Sequence, residues 1–530
     1  MAAPIISNRN KIMKPTVLTL LATCLASFAE TTKPNIVYIL ADDMGYGDVQ
    51  ILNPKRGKIA TPHMDQVAKD GMIFTDAHTT SSVCTPTRYS ILTGRYNWRT
   101  KLQEHVLDGY GLPLIPTTRT TVPSFLNENG YTTAMIGKWH LGLNIATTDG
   151  NVAKPAGGLK QKMGKGAFPP AELSNIDWKK PIQGGPVDLG FDSWFGITAS
   201  LDFPPYVWIR DRNWVGEGTH AKAFRRPGPA TADFEAIDVL DKLAAESVEY
   251  ISKYESEKPF FIYLPLPSPH TPIVPTEKWQ GKSGIGKYGD FMMQTDDLVG
   301  QVVKALEAKG LTENTLLIVT SDNGCSKAAN FKNLESHGHF ASAQYRGSKA
   351  DLWEGGHRVP FLVKWPKVIK AGSSSDTLSC QTDLLATCAE LLGKKLPATA
   401  GEDSESILPL FKGEPTKLSR KGIIHHSVSG HFSYRLGNWK LLLAKGSGGW
   451  TKPSEKDMAK IPDAPKGQLY NLKDDPGEQT NLYQSKPELV AKLMAQLKTD
   501  IANGRSTAGP KQENDVPIDQ IKLWKGNISR

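Results

Sequence analysis

The sequence predicts an α/β fold in which a large, mainly parallel mixed sheet is flanked by helices, with a smaller C-terminal α+β domain. The first observation is a set of apolar segments, each followed at once by polar residues, which is typical of buried parallel strands. The segments are NIVYIL (35–40), YTTAMI (131–136), FFIYLPL (260–266) and NTLLIV (314–319). The second observation is that amphipathic helical patterns at 234–253 and 291–309 lie between them, which places helices on both faces of the sheet.

The pattern changes after about residue 415. FSYRL and WKLLL, joined by Gly437 and Asn438, predict a β-hairpin, QLYNLKDDPGEQTNL predicts a strand and a turn, and 487–503 predicts an amphipathic helix. We therefore expect a catalytic domain at 30–415 and an α+β subdomain with an antiparallel sheet and a helix at 416–530. Residues 150–230, rich in Gly, Pro and Lys, predict long insertions over the sheet edge, where substrate-binding loops often lie.

The N-terminal 29 residues have the pattern of a secretory signal peptide. Basic residues precede an apolar run from Val17 to Phe28, and small residues end at Ala29. A buried N-terminal helix is the alternative, but no polar face interrupts the run; a lipoprotein anchor at Cys24 is disfavoured because Thr23 precedes it. We expect export to the periplasm or the extracellular space, with no membrane-spanning segment elsewhere.

Composition supports a globular enzyme, with 39% hydrophobic and 22% charged residues. Cleavage after Ala29 lowers the formal net charge from +9 to +6 (9 − 3), which favours anionic substrates. No basic run is interleaved with aromatics, so we expect no nucleic-acid partner. Four cysteines in the mature chain are too few for a disulfide scaffold, although a Cys380–Cys388 bridge stays open. The residues predict no particular oligomeric state.

Polar side chains follow each of the four predicted strands. Ligands of such sheets bind beyond the carboxyl ends of the strands, so we expect these side chains to converge in one crevice. They are Asp42, Asp43, Lys138, His140, His270, Asp322 and Asn323. RGSKADLWEGGHRVP adds Lys349 to the same cationic surroundings.

Cys84 precedes a predicted helix start, with Thr85 as N-cap and Pro86 at the first helical position. The helix dipole and free N–H groups there favour an anion, and Arg88 would point back toward the cysteine one turn later. A small buried core thiol is the alternative.

The carboxylates and the amide at the strand ends form a second pattern. Asp42, Asp43, Asp322 and Asn323 offer hard oxygen donors, a set suited to Ca²⁺ or Mg²⁺ rather than Zn²⁺. Helix caps and solvated turns are the alternative reading of each pair taken singly. His270, between prolines in PSPHTP, is either a positioned donor or a hydrogen-bonded loop histidine.

Several motifs together resemble one family. CTPTR (84–88) resembles the C-x-P-x-R signature of the type I, formylglycine-dependent sulfatases, and GYTTAMIGKWHLG (130–142) resembles their second signature. NIVYILADDMGYGD, SPHTP, TSDNG, RGSKADLWEGGHRVP and LYNLKDDPGEQTNL also resemble family segments, so the resemblance runs from about 34 to 484. It is strongest with the branch of arylsulfatase A and N-acetylgalactosamine-6-sulfatase, and it implies an alkaline-phosphatase-like fold.

The resemblance implies the chemistry. A formylglycine-generating maturation enzyme would oxidise Cys84 to Cα-formylglycine, whose hydrate attacks the sulfur of a sulfate ester. The implied roles are Ca²⁺ binding (Mg²⁺ being less suited) by Asp42, Asp43, Asp322, Asn323 and the modified Cys84; positioning of the hydrate by Arg88 and His140; and sulfate contact by Lys138, His270 and Lys349, with His270 or Lys349 protonating the leaving alcohol.

Aromatic and charged residues predict a sulfated saccharide as substrate. The candidate contacts are Arg99, Asp202 and Arg210, near Trp98, Tyr206 and Trp208. Aromatic core packing is the alternative. Two other functions remain: a phosphodiesterase or phosphonate monoester hydrolase of the same superfamily, and a non-catalytic sulfated-glycan-binding protein with unmodified Cys84.

Overall fold

A computed structural model describes residues 1–4, 33–414 and 418–518. The predicted signal peptide lies outside the described residues beyond its first four positions, and the predicted domain boundary falls on residues 415–417, which are also outside them.

In chain order, the strands are β1 (Asn35–Ala41), β2 (Met72–Phe74), β3 (Ala77–His78), β4 (Thr132–Lys138), β5 (Ser193–Ile197), β6 (Ile209–Arg210), β7 (Asn213–Trp214), β8 (His220–Ala223), β9 (Pro227–Ala230), β10 (Phe260–Pro265), β11 (Thr315–Ser321), β12 (Phe361–Lys364), β13 (Ser373–Ser375), β14 (Ser379–Cys380), β15 (Ile423–His426), β16 (Phe432–Leu436), β17 (Trp439–Leu442) and β18 (Gln468–Asn471).

Twelve α-helices lie in the described part of the chain. They are α1 (Pro62–Lys69), α2 (Cys84–Thr93), α3 (Val122–Glu128), α4 (Leu159–Lys162), α5 (Val239–Ser252), α6 (Lys287–Ala308), α7 (Phe331–Ser336), α8 (Glu354–His357), α9 (Leu384–Leu391), α10 (Leu408–Phe411), α11 (Glu455–Met458) and α12 (Pro487–Ala502). Among the described helices, none is both long and apolar enough to span a bilayer.

The main sheet has ten strands in the order β13-β2-β12-β11-β1-β10-β4-β5-β6-β7. Its five central strands, from β11 to β5, are mutually parallel, whereas β12, β6 and β7 join in antiparallel pairs. The four strands predicted from sequence are β1, β4, β10 and β11, which are neighbours at the centre. The prediction of a large, mainly parallel mixed sheet is confirmed.

Strand β1 shows why helices cover both faces. Alternate side chains on one face, such as Tyr38, join a core with α2, α3 and α9, while those on the other face, such as Ile39, join a core with α1, α5 and α6. Because both faces are buried, the strand sequence is continuously apolar rather than alternating.

A separate four-stranded antiparallel sheet, β15-β16-β17-β18, lies in the C-terminal part of the chain. It contains the predicted hairpin, and the apolar face of α12 packs on it together with Tyr96 and Trp98. Residues 150–230, predicted to be insertion loops, also contribute β5 to β7 to the main sheet and the β8–β9 hairpin. Cys380 and Cys388 are buried and free, so they form no bridge.

Candidate active site

The central strands bring their polar ends to one edge of the sheet, as the sequence predicts. In the parallel register Ala41 lies opposite Ser321, so the residues that follow β1 and β11 are neighbours. A cavity of about 480 Å³ opens at this edge. Its lining includes Cys84, His140, Ser200, Asp202, Phe203, Arg225, Arg226, His270, Lys327, Lys349 and Trp450.

Cys84 is the first residue of α2, and Val83 is the N-cap, so the helix begins earlier than predicted. Thr85 is not the cap; its hydroxyl accepts a hydrogen bond from the backbone N–H of Leu107 at 3.3 Å. The Cys84 Sγ lies 3.5 Å from Lys349 Nζ. Burial raises the pKa of this thiol far above its usual value, with a further contribution from Asp42. The unmodified side chain is therefore a neutral thiol and a poor nucleophile.

Arg88 is fully buried and is held by a neighbouring carboxylate. Its Nε and Nη2 donate to Asp322 Oδ2 at 3.0 and 2.8 Å, and its Nη1 donates to the carbonyl of Lys138 at 3.2 Å. The same guanidinium lies 3.4 Å from Asp42 Oδ2. Arg88 thus joins the carboxylates that follow two strands to the end of a third.

The two aspartates after β1 each contact a buried lysine. Asp42 forms an ion pair with Lys138, whose Nζ also donates to Ser200 Oγ at 2.6 Å. Although burial raises its pKa, the cations around Asp42, led by Lys138, hold that pKa well below its usual range. Asp43 Oδ1 lies 2.6 Å from Lys349 Nζ, and the Asp43 backbone has a positive φ of 66°. Asp42 is therefore anionic in the folded protein.

The residues after β11 complete a set of hard oxygen donors. Burial and then Asp42 raise the pKa of Asp322 to about 6, against the lowering effect of Arg88. Asn323 donates its Nδ2 to Asp43 Oδ1 at 2.7 Å, whereas its buried Oδ1 has no hydrogen-bond partner among the described residues. Clustered carboxylates and an unsatisfied amide oxygen fit a divalent cation, which would satisfy the acceptor and lower the repulsion.

Both predicted histidines line the cavity. His140 Nε2 lies 2.7 Å from the carbonyl of Leu107 and therefore carries the proton, which leaves Nδ1 as an acceptor with no partner among the described residues. Burial, with the charges of Lys138 and Arg88, lowers the pKa of His140 well below its usual value. His270 Nδ1 lies 2.6 Å from the carbonyl of Thr271, while its Nε2 lies 3.7 Å from Asp43 Oδ2.

Two of the three predicted saccharide contacts lie away from this cavity. Arg99 is buried in an ion pair with Asp403 at 2.8 Å, and Arg210 pairs with Glu246 at 2.7 Å. Neither lines the cavity, because the aromatic residues beside them, including Trp98 and Trp208, pack in the core. Asp202 does line the cavity.

Sequence reasoning missed several cavity residues from loops outside the matching motifs. Arg225 and Arg226 form the turn between β8 and β9, and Trp450 lies in the segment GSGGWTKP. A charged pair at a Pro- and Gly-bounded turn, and a tryptophan in a Gly-rich loop, are surface features that would have indicated them.

The chain matches known sulfatases over most of its length. Residues 34–394 match the Sulfatase family model, and residues 348–507 match the model for the C-terminal part of N-sulphoglucosamine sulphohydrolase. The N-acetylgalactosamine-6-O-sulfatase of Bacteroides thetaiotaomicron is 31% identical over 515 residues, which cover 88% of this chain and 93% of that protein. Human steryl-sulfatase is 28% identical over 431 residues, 74% of this chain and 72% of that protein.

Solved structures give the same result. A Bacteroides thetaiotaomicron structure, described in connection with the metabolism of multiple glycosaminoglycans, has a TM-score of 0.74 and 30% identity, and the match covers 88% of this chain and 99% of that one. The structure of Ps i-CgsB in complex with a neocarrahexaose has a TM-score of 0.66 at 24% identity over 94% of this chain and 98% of that one, which supports the fold alone. The chain therefore belongs to the type I sulfatase family, in the branch of N-acetylgalactosamine-6-sulfatase and the arylsulfatases, and is a sulfuric ester hydrolase.

Proposed function

We propose that this protein hydrolyses a sulfate ester of a carbohydrate, using a nucleophile derived from Cys84 and a bound Ca²⁺. The observation that carries the proposal is the position of Cys84, which lies at the start of a helix, lines the cavity and contacts two members of the adjoining buried ionic cluster, Lys349 Nζ at 3.5 Å and Asp42 Oδ1 at 3.6 Å. The names of the similar proteins support a sulfated saccharide, with N-acetylgalactosamine 6-sulfate as the first candidate.

The nucleophile in this proposal is Cα-formylglycine formed from Cys84. One hydroxyl of its hydrate would attack sulfur and displace the alcohol, which leaves with a proton, to form a sulfate hemiester on residue 84. Loss of the proton from the second hydroxyl would then break the C–O bond to sulfate, release sulfate and regenerate the aldehyde, which water rehydrates. A neutral, buried thiol would not perform this attack, which supports conversion of the side chain before catalysis. The neutral His140, whose Nδ1 has no partner among the described residues, offers that atom as an acceptor to orient a hydroxyl on residue 84.

Asp42, Asp43, Asp322 and Asn323 would hold the cation, together with the modified Cys84. Bound Ca²⁺ would stabilise negative charge on the sulfate oxygens. Carboxylates and an amide oxygen in an all-protein shell favour Ca²⁺ over Mg²⁺, which usually keeps several waters. Arg88 would act at least in part through Asp322, because its guanidinium donates two hydrogen bonds that fix that carboxylate.

Lys138, His270 and Lys349 would bind the sulfate and the charge that develops on it. Although burial lowers it, Asp43 raises the pKa of Lys349 well above its usual value, so this ammonium keeps its proton. With both ring nitrogens protonated, His270 would donate its Nδ1–H to the carbonyl of Thr271 and its Nε2–H to the oxygen of the leaving alcohol, and it is the general acid of this proposal.

We further propose that residues 1–29 direct export and that the catalytic domain spans 30–415, followed by the α+β subdomain at 416–530. N-terminal sequencing of the protein secreted by its native host, with Glu30 as the expected first residue, tests the cleavage site. A first residue upstream of Val17 would contradict it.

The central test is the mass of the tryptic peptide from Asp70 to Arg88, taken from protein co-expressed with a formylglycine-generating enzyme. We expect an aldehyde at Cys84, an unmodified thiol in the peptide that contains Cys325, and turnover of sulfated sugars that requires the aldehyde. An intact Cys84 thiol, with the maturation enzyme active on a control substrate, would overturn the proposal. Full conversion without turnover of any sulfate ester would overturn it as well.

A further inference from the structure

The cavity extends beyond Cys84 to a rim that carries basic side chains from two separate segments. Arg225 and Arg226 lie on the β8–β9 turn. Lys327 lies in the segment that follows β11, close to Trp450 of the loop between β17 and β18. We infer that this rim, defined by Asp202, Arg225, Lys327 and Trp450, is a subsite for a second anionic group on the saccharide. The inference rests on the proposed function, because it concerns the part of the substrate beyond the reacting sulfate.

Charge balance is the first argument. The cavity lining contains Arg225, Arg226, Lys327 and Lys349 but one carboxylate, that of Asp202. Lys349 is paired with an aspartate at the sheet edge and Arg226 is paired with Asp202, so these two cations are neutralised. Within the part of the chain that the structure describes, Arg225 and Lys327 have no acidic partner. A substrate with a second anion would supply one.

The Asp202 carboxylate provides an independent indication of a ligand. Its side chain is 6% exposed, and its Oδ2 accepts a hydrogen bond from Arg226 Nη1 at 2.7 Å. Its Oδ1 is buried without a hydrogen-bond partner among the described residues. A buried acceptor without a partner is unfavourable unless a ligand satisfies it. A sugar hydroxyl in the cavity would donate to this atom.

Trp450 gives the rim an apolar face. Trp450 is 45% exposed, and Lys327 Nζ lies 5.2 Å from the centre of its ring. The loop itself is fixed, because the backbone N–H groups of Trp450 and Thr451 donate to Asp351 Oδ1 at 2.8 and 3.0 Å. An exposed indole on an anchored loop, with a cation beside it, suits a sugar ring that carries a carboxylate or a sulfate.

A set of matched substrates tests this subsite. The probes are N-acetylgalactosamine 6-sulfate linked to a hexuronic acid, the same disaccharide with its carboxyl group reduced to an alcohol, and the reduced disaccharide with a second sulfate. Steady-state kcat and KM are measured for the wild type, Arg225→Gln and Lys327→Gln. Arg210→Gln is the control, because it removes an exposed arginine whose partner, Glu246, lies outside the cavity lining.

We expect Arg225→Gln or Lys327→Gln to raise KM about tenfold for at least one of the two doubly anionic probes, the effect of about one charge-assisted hydrogen bond. KM for the disaccharide whose carboxyl group is reduced to an alcohol should change less than about twofold. The probe that responds identifies the second anion as a carboxylate or a sulfate.

Equal changes on all three probes, or none, would overturn the subsite while leaving the proposed function intact. Absence of turnover of every sulfate ester by the matured wild type would instead overturn the proposed function. A change of similar size in Arg210→Gln would also count against the subsite, because it would show a general effect of surface charge.

Discussion

Two groups of buried ionisable residues lie in this molecule, and they differ in what surrounds them. The cavity cluster consists of Asp42, Asp43, Arg88, Lys138, Asp322 and Lys349. The closed cluster consists of Asp76, His78, Glu354, His357, Lys440 and Glu478. Both are almost inaccessible to solvent, but the cavity beside Cys84 is lined by Lys349 of the first cluster and by no member of the second.

The closed cluster joins parts of the chain that are distant in sequence. Lys440 Nζ, on β17, lies 2.9 Å from Glu354 Oε1 and 2.9 Å from Glu478 Oε1, and 3.0 Å from His357 Nε2. His357 also contacts His78, which lies on β3, with 3.0 Å between the Nδ1 atoms. The cluster therefore holds the C-terminal sheet against the main part of the chain. The comparison teaches that buried charge alone does not mark a candidate catalytic site; the adjoining cavity is what distinguishes the first cluster from the second.

Removal of the proposed nucleophile beside the cavity cluster should have the largest effect on turnover, with little effect on stability. Cys84→Ala should lower kcat on any sulfate ester by at least about 10³-fold, because the hydrate whose hydroxyl attacks sulfur is formed on this residue. The free energy of unfolding should fall by no more than about 1 kcal/mol, since the thiol is small. Single-turnover assays and urea denaturation measure the two quantities. Residual turnover above 1% of the wild type, in protein free of wild-type enzyme, would contradict the assignment.

Lys440→Met should have the opposite profile. Loss of the ammonium leaves Glu354 and Glu478 buried without their shared cation, so the free energy of unfolding should fall by about 3–5 kcal/mol. Turnover per folded molecule should stay within about twofold of the wild type. Lys253→Met is the control, because that exposed lysine pairs with Glu249 on the helix surface and its loss should cost less than about 0.5 kcal/mol. A loss below about 1 kcal/mol for Lys440→Met would break the comparison.

The sequence was sufficient for most of the cavity cluster because four of its six members lie at or directly after the ends of strands. Asp42, Lys138 and Asp322 come directly after or at the end of apolar runs, and parallel strands bring such positions to one edge. The ring tautomer of His140, and the pairing of Arg88 with Asp322 rather than with residue 84, depend on atomic geometry that no local pattern encodes.

The closed cluster and the surroundings of Arg99 were not predictable for a different reason. Glu354 and His357 follow Lys349 in sequence, but their partner Lys440 comes from a hairpin more than 80 residues later. Arg99 was predicted to contact substrate because it lies near aromatic residues, yet a tryptophan in sequence does not reveal whether its face is open or packed. Burial decides this, and burial is a property of the folded chain.

Binding of Ca²⁺ tests whether the cavity cluster, unlike the closed cluster, holds a metal ion. The free Oδ1 of Asn323 should become a ligand, so Asn323→Ala should weaken Ca²⁺ binding about 10- to 100-fold, and the Ca²⁺-dependent rise in Tm seen for the wild type should shrink at a given Ca²⁺ concentration. Calorimetric titration of chelator-treated protein measures this without any activity assay. Asn127→Ala is the control, because it removes an amide that donates to Asp192, the residue directly before the start of β5. Wild-type affinity in Asn323→Ala would remove Asn323 from the ligand set.

The smallest effect should come from the rim. Trp450→Ala should raise KM for a sulfated disaccharide about three- to tenfold, because an exposed indole face contributes stacking but none of the charge interactions at the sheet edge. Trp450→Phe keeps part of that face and should recover most of the loss, whereas Trp279→Ala, beside Lys278 and outside the cavity lining, should leave KM unchanged. A lower kcat with unchanged KM would show instead that the loop acts through Asp351 on the neighbouring Lys349 segment, which would place Trp450 with the cavity cluster rather than with the substrate.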